Sequence, residues 1–346
     1  MGDAAGERAA ELAARAGIAG IDAIVPFAVP LTTRFRGVTQ RHGLLLHGSA
    51  GWGEWSPFDE YDDEVAAVWL DAAVSLACDP APPARRTHVP VNVTVPAVDA
   101  DRAREIVAAS GCRTAKVKVA EPGHTLANDV ARVTAVRNAL GPDGWIRIDA
   151  NAAWSVDEAV HALGRFEEAA GGLEYAEQPC ARLEELAEVR ARTGVRIAAD
   201  EAIRRDHTDP ALLRDAVDVA VIKVQPAGGV HAALALIDAL RLPVVVSSAL
   251  DTSVGLAAGV QLAAALDTLP SACGLATGLL LADDVVPRPL RPVDGMLDVV
   301  AAAEAAATLR SAVPSPPAET VDRLLARLMC AQAARAVARA AGRADG

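Results

Sequence analysis

The chain has 346 residues, 52% of them hydrophobic and 23% charged. That composition excludes a disordered polymer and leaves room for an α/β barrel with additions, or a large domain beside a small one. A net charge of −12 argues against a nucleic-acid partner, and the longest apolar runs, such as Val244-Val245-Val246, are too short to cross a bilayer.

Residues 1–20 read as an Ala-rich extension, either a short helix or a frayed segment. Their first fifteen residues carry both signs of charge and no signal-peptide core. The cysteines Cys78, Cys112, Cys180, Cys273 and Cys330 are widely spaced, with no CxxC pair. Both features suit reduced thiols in the cytoplasm. Residues 21–83 have the texture of a small α+β capping domain. Residues 22–29 and 43–48 read as strands, and residues 32–37 between them as a loop carrying Arg34 and Arg36. Gly51-Trp52-Gly53-Glu54-Trp55 closes this meander. Residues 62–78 are predicted helical: Asp62-Asp63-Glu64 form an acidic first turn, and Val65, Trp69, Ala72 and Leu76 share a face. Asp79-Pro80-Ala81-Pro82-Pro83 is a linker.

From 84 to 300 the rhythm changes. β-rich runs at 89–95, 114–119, 145–149, 173–177, 195–200, 219–224, 243–247 and 274–277 alternate with helical segments at 128–140, 156–170, 183–193 and 229–240. The fold class predicted is α/β: parallel βα units closing into a modified (β/α)8-type barrel. An open doubly wound sheet is the second choice, disfavoured because no GxGxxG follows the first strand. Residues 301–346 form an Ala-rich tail whose segment 319–341 is predicted to be a helix packing on the capping domain.

The expected strand ends carry polar residues in succession: Lys116 and Lys118, Asp149 and Asn151, Glu177, Asp200 and Glu201, Lys223, then Ser247 and Ser248. In such a barrel the C-terminal strand ends form the active site. Lys116 and Lys118 share one face of their strand, because side chains alternate with a period of two; the simpler reading is an edge strand with its lysines in water. Three converging carboxylates repel unless a cation offsets them, and a hard divalent ion does so. Asp149, Glu177 and Asp200 are therefore the expected ligands of Mg²⁺, with Mn²⁺ as a substitute and Glu201 as rival for the third position. A lysine acts as a base only when neutral, and burial, a second lysine and a nearby metal all favour that state. Lysines flanking a metal suit removal of a weakly acidic proton beside a carboxylate, the enolase-type chemistry. No histidine lies on an expected strand end, but His124 and His207 follow strands in loops and are candidates to touch substrate.

The ordered set Lys116-x-Lys118, Asp149-Ala150-Asn151, Glu177-Gln178-Pro179, Ala199-Asp200-Glu201, Lys223 and Ser247-Ser248 resembles the enolase superfamily, muconate-lactonizing-enzyme subgroup. Gly51-Trp52-Gly53-Glu54 resembles the end of its capping sheet. The resemblance spans about residues 20–310 and implies a (β/α)7β barrel. Within the subgroup, residues 30–37, 51–57 and 60–63 are most similar to the actinobacterial-type o-succinylbenzoate synthases. This implies a lyase of menaquinone biosynthesis that acts on a small-molecule carboxylate. On that resemblance Lys118 is the acid–base residue, Lys223 stabilises charge from across the ring, and Lys116 lowers the pKa of Lys118. Asn151 becomes a substrate or supporting contact, while Ser247, Ser248 and Ser253 are candidates for the succinyl carboxylate. Arg34 and Arg36 would close over the site. The loop after residue 247 and the segment 274–278 match the pattern only in part.

The same ring also suits an N-succinylamino acid racemase or dipeptide epimerase, with Lys118 and Lys223 as opposed bases, or a cycloisomerase. A non-catalytic barrel has no physical need of the Lys–Asp–Glu–Asp–Lys series. The sequence leaves the oligomeric state open.

Overall fold

The structure, a computed structural model, describes residues 3–204 and 208–344. Helix α1 (Asp3–Ala16) precedes an antiparallel meander of β1 (Ala23–Phe35), β2 (Val38–Gly48) and β3 (Gly51–Trp55). Helix α2 (Asp63–Cys78) packs on that sheet through Trp69, Leu70 and Ala73, and its N-terminus is capped by Asp62 accepting from Val65 N. Residues 32–37, expected as a loop, instead extend the β1–β2 hairpin. The turn is only Arg36-Gly37, both at positive φ (49° and 79°). This is the two-residue turn whose twist matches paired strands, and it lets the β-branched Thr32-Thr33 stay in the strand.

The chain then runs through β4 (His88–Pro90), β5 (Val93–Val95), α3 (Ala100–Ser110), β6 (Thr114–Lys118), α4 (Leu126–Leu140), β7 (Trp145–Asp149), α5 (Val156–Ala170), β8 (Tyr175–Glu177), α6 (Leu183–Thr193), β9 (Ile197–Ala199), α7 (Glu201–Arg204), α8 (Pro210–Ala216), β10 (Val219–Lys223), α9 (Val230–Leu240), β11 (Val244–Ser247) and α10 (Ser253–Ala265). Strands β5 to β11 form one parallel sheet in chain order. Their residues are almost all buried, as expected of strands covered on both faces. The helices between them start and stop on local chemistry. Ser155 and Glu158 cap α5 reciprocally, and Gly171 ends it in the left-handed region.

The segment around Cys273 and Gly274 closes the ring. Gly274 N donates to Val246 O, and Ser248 N to Gly274 O, on the β11 side. Cys273 N donates to Pro90 O, and Asn92 N to Cys273 O, on the other. The eighth strand expected at 274–277 is thus reduced to two bridges, and the chain turns into a 3₁₀ helix at Ala276–Leu280. Gly and Ala hold strands poorly, and a Cβ on Gly274 would lie 2.5 Å from Ser247 Oγ. The run expected at 89–95 is likewise split. β4 pairs antiparallel with β12 (Met296–Asp298), and only β5 joins the barrel; Pro90 has no N–H for a continuous ladder.

Helix α10 is buried on all sides, between the barrel, β3 and α11 (Val299–Ala307). The tail helix α12 (Ala318–Ala344) packs on α2. Its Arg327 donates to the carbonyls of Pro57, Phe58 and Tyr61, fixing the loop ahead of α2. Among the described residues no helix is long and apolar enough to cross a membrane.

Candidate active site

Strand alternation builds the site. Tyr175, Ala198, Val219, Val221 and Val245 form a buried cluster inside the ring. Two residues further along the chain from Tyr175, Ala198, Val221 and Val245 come Glu177, Asp200, Lys223 and Ser247. On β7 the same period separates Arg147, stacked 4.8 Å over the Tyr175 ring, from Asp149. Lys118, Asp149 and Glu177 lie in one register row across β6, β7 and β8. The floor of the barrel is therefore Arg147 and apolar residues, and its rim is charged.

The rim charges are paired, and all are buried except Lys223, which is partly buried. Lys118 Nζ donates to Asp149 Oδ2 at 2.6 Å and to Asn151 Oδ1 at 2.5 Å. Lys116 Nζ donates to both oxygens of Glu177 at 2.9 Å and lies 3.0 Å from Asp149 Oδ2. Lys223 Nζ donates to Asp200 Oδ2 at 2.5 Å. Burial would lower both β6 lysines. For Lys116, Asp149 and Glu177 outweigh it and hold the ammonium well above its ordinary range. For Lys118 burial prevails over the pull of Asp149, with Lys116 adding to it, so this amine sits below its ordinary value. Two lysines two residues apart are thus separated in basicity, the arrangement that assigns one to proton transfer. Burial is also outweighed at Asp149, which Lys116 and Lys118 hold well below the carboxylate range, and at Asp200, through Lys223 and Arg204. Glu177 goes the other way, pushed to about 7 by burial and Asp149.

The backbone at this rim is unusual. Ala120 (φ 60°), Asn151 (47°), Gln178 (41°) and Leu250 (65°) all take the left-handed region without being glycine. They follow β6, β7, β8 and β11. Such strain persists only where surroundings over-determine it and concentrates at functional sites.

Two residues that the sequence reading did not single out belong here. The Phe35 ring, from the tip of the β1–β2 hairpin, lies 5.5 Å from Lys118 Nζ. Arg204 Nε donates to Asp200 Oδ1 at 3.1 Å, Nη2 to Glu201 Oε1 at 2.6 Å and Nη1 to Tyr61 Oη at 2.9 Å. Its spacing of three and four residues from Glu201 and Asp200 was the available signal. The other expected contacts make the following interactions. Arg34 is exposed and, by alternation, faces away from Phe35. Arg36 stacks 4.3 Å over Phe58 and pairs with Glu60. Ser253 Oγ donates to Asp284 Oδ2 and accepts from Leu290 N. Ser248 Oγ bonds Thr277 Oγ1, and Ser247 Oγ donates to Gly274 O. His124 Nδ1 accepts from Arg132, and His207 lies outside the described residues.

The three carboxylates expected to converge as ligands are each engaged by cationic side chains. Among the described residues no three acidic, histidine or cysteine side chains close into a metal cage by themselves. A buried carboxylate pairs with the nearest cation. Their donor chemistry nevertheless fits a hard divalent ion: Asp149, Glu177 and Asp200 offer only oxygens, from adjacent strand ends. Beside them, among the described residues, the buried Oε2 of Glu201 has no hydrogen-bond partner.

Comparison with known proteins agrees with this architecture. The Enolase C-terminal domain-like family matches residues 99–304, and the Enolase N-terminal domain-like family matches residues 26–77. The L-Ala-D/L-Glu epimerase of Bacillus subtilis superposes with a TM-score of 0.68 at 23% identity, over 80% of this chain and 94% of that one. The muconate lactonizing enzyme of Pseudomonas fluorescens gives 0.68 at 21% identity, over 81% and 94%. At that distance both speak to the fold alone. Sequence relatives are much nearer. The o-succinylbenzoate synthase of Thermobifida fusca (strain YX) is 60% identical over 278 residues, 79% of this chain and 86% of the relative. That of Mycolicibacterium smegmatis (strain ATCC 700084 / mc(2)155) is 51% identical over 303 residues, 86% and 93%. A barrel whose rim sets lysines against acidic strand ends, matched over most of its length by these families and relatives, places this chain in the enolase superfamily.

Proposed function

We propose that this chain is an o-succinylbenzoate synthase, a lyase that removes water from 2-succinyl-6-hydroxy-2,4-cyclohexadiene-1-carboxylate to give 2-succinylbenzoate for menaquinone biosynthesis. The observation that carries this reading is the identity of 50–60% to synthases of that name over most of both chains, joined to a buried lysine below its ordinary pKa at the rim.

Lys118, as the neutral amine, takes the ring proton beside the carboxylate. The electron pair left behind completes the aromatic ring as the C–O bond to the hydroxyl breaks. The same ammonium then returns its proton to the departing oxygen, and water leaves. One group can serve both steps only when proton and hydroxyl lie on one face of the ring. Lys223, whose strand end lies across the interior from β6, places positive charge where negative charge develops on the carboxylate. Lys116 stays charged, held by Glu177, and so keeps Lys118 the weaker base of the two. Asp149, Glu177 and Asp200 would hold Mg²⁺, with Mn²⁺ as a substitute. A bound divalent ion supplies charge to the substrate carboxylate and makes the neighbouring hydrogen more acidic. Asn151 orients Lys118 through its 2.5 Å hydrogen bond.

The test is turnover followed by loss of the dienyl absorbance, in Mg²⁺ and after chelation, beside Lys118→Ala and Lys223→Ala. Activity that needs the metal, and falls by roughly 10²–10⁴-fold in Lys118→Ala, is expected. A folded wild type that leaves the diene untouched would overturn the reading. Lysine-dependent exchange of the α-proton of N-succinylamino acids or dipeptides in D₂O would then point to the racemase or epimerase chemistry that the opposed lysines also permit.

A further inference from the structure

We propose that Arg204 is a positioning residue that ties both reactive lysines to the capping domain through one guanidinium. The inference rests on the dehydratase reading above and adds a residue to it.

The side chain of Arg204 is 6% exposed, and each of its three nitrogens serves a different acceptor. Nε takes Asp200, whose other oxygen accepts from Lys223. Nη2 takes Glu201 Oε1, which also accepts from Asn151 Nδ2 at 3.2 Å, while Asn151 Oδ1 accepts from Lys118. Nη1 takes the hydroxyl of Tyr61. Lys223 is therefore one carboxylate away from Arg204, and Lys118 is one carboxylate and one amide away.

Tyr61 is itself held firmly. Its carbonyl accepts from Arg327 at 2.8 Å, and its ring packs against Phe58 and Trp69 at 5.8 and 5.9 Å. The short turn α7, only four residues long, cannot fix these side chains by its own helical bonding. What holds them is the planar fork of an arginine, which spans three acceptors in fixed directions; a lysine presents a single nitrogen. A shift of the capping loop is thereby transmitted to Asn151 and Lys118, and a shift of the metal-side carboxylates to Tyr61.

The experiment compares Arg204→Ala, Arg204→Lys and Tyr61→Phe with wild type, reading kcat, KM and, by calorimetry without substrate, the Kd for Mg²⁺. Arg204→Ala should lower kcat at least roughly tenfold without raising the Kd for Mg²⁺, since it removes a cation competing for Asp200. Arg204→Lys, which keeps the charge and most of the volume, should not restore kcat. Tyr61→Phe should raise KM at least about threefold, because it frees the cap from the rim. The proposal is overturned if Arg204→Lys performs like wild type, if kcat in both Arg204 variants stays within about twofold, if Tyr61→Phe leaves KM at the wild-type value, or if the Kd for Mg²⁺ rises as steeply as kcat falls, the pattern of a merely structural residue. A wild type silent on the diene defeats the dehydratase reading instead, and the Mg²⁺ titration still tests the tie.

Discussion

Glu54, on the last strand of the N-terminal sheet, caps the helix that Thr252 begins 198 positions later. Its Oε2 accepts from Thr252 N, Thr252 Oγ1 and Gly255 N at 3.0, 2.5 and 3.1 Å, and its Oε1 accepts from Ser56 Oγ. Beside it the buried Arg41 donates to Leu250 O and to Ser56. The loop after β11 is thus gripped by two buried side chains of another sheet.

That joint predicts a pH dependence. Burial and then Asp251 push Glu54 up to about 7, against the hydrogen bonds from Thr252 and Ser56. The folded chain therefore holds a proton that the unfolded chain, titrating near 4.5, releases. Stability falls as pH rises through that window. Burial raises Asp251 too, with the same sign. Glu54→Gln keeps a carbonyl oxygen for the three helix donors and turns its amide toward Ser56 Oγ. Its urea unfolding free energy should vary less between about pH 5 and pH 7.5 than wild type, and should equal or exceed it at the upper end. Parallel curves for the two proteins would show that Glu54 does not titrate in this range.

The floor of the barrel predicts a loss of stability separable from chemistry. Arg147 is fully buried and donates to Glu174, Asn92 and Ala272 O while stacking on Tyr175. Arg147→Met removes every one of those donors and strands the largely buried Glu174 carboxylate. Losing one partner of a buried pair costs about 3–5 kcal/mol. Chemical denaturation should show a loss of that order, while KM and kcat of the folded fraction remain close to wild type. Equal damage to kcat would mean that floor and rim are mechanically one unit.

How much of this was legible beforehand follows from the range of the interactions. Lys116 and Lys118 announced a shared face by their spacing alone, and intervals of one βα unit placed Asp149, Glu177, Asp200 and Lys223 on successive strand ends, where the structure gathers them. Local signals ended there. The eighth strand looked regular because Gly274 to Thr277 lies between βα-like segments, but strand pairing depends on a partner, and only Cys273 and Gly274 find one. Arg34 and Arg36 drew attention as charges in a supposed loop. The two-residue turn that extends the hairpin instead presents Phe35 to the lysine. The grip of Glu54 on Thr252 joins residues too far apart in the chain for any period or spacing to reveal.

Phe35 supports the last prediction. Its ring sits 5.5 Å from Lys118 Nζ, at the tip of a hairpin whose other contacts run to the barrel through Thr32 Oγ1 and the Leu31–Leu281 bridge. An aromatic face beside an ammonium attracts it modestly. Its larger effect is to cover apolar surface and keep water from a base that must stay neutral to work. Phe35→Ala opens that side of the rim without touching a charged group, so the fold and the Kd for Mg²⁺ should change little. The value of kcat/KM should fall several-fold and by at most roughly tenfold, because the half-buried Phe35 ring contributes only part of the about 1.5–3 kcal/mol that full burial of an aromatic gives. Phe35→Leu, apolar and of similar reach but without a π face, separates the two contributions. Recovery of most of the activity by leucine would assign the role to water exclusion. Failure of leucine to recover it, with alanine and leucine equally slow, would assign it to the ring's contact with Lys118. Steady-state turnover of both variants in saturating Mg²⁺ decides between them, and wild-type rates in Phe35→Ala would remove the hairpin tip from the site altogether.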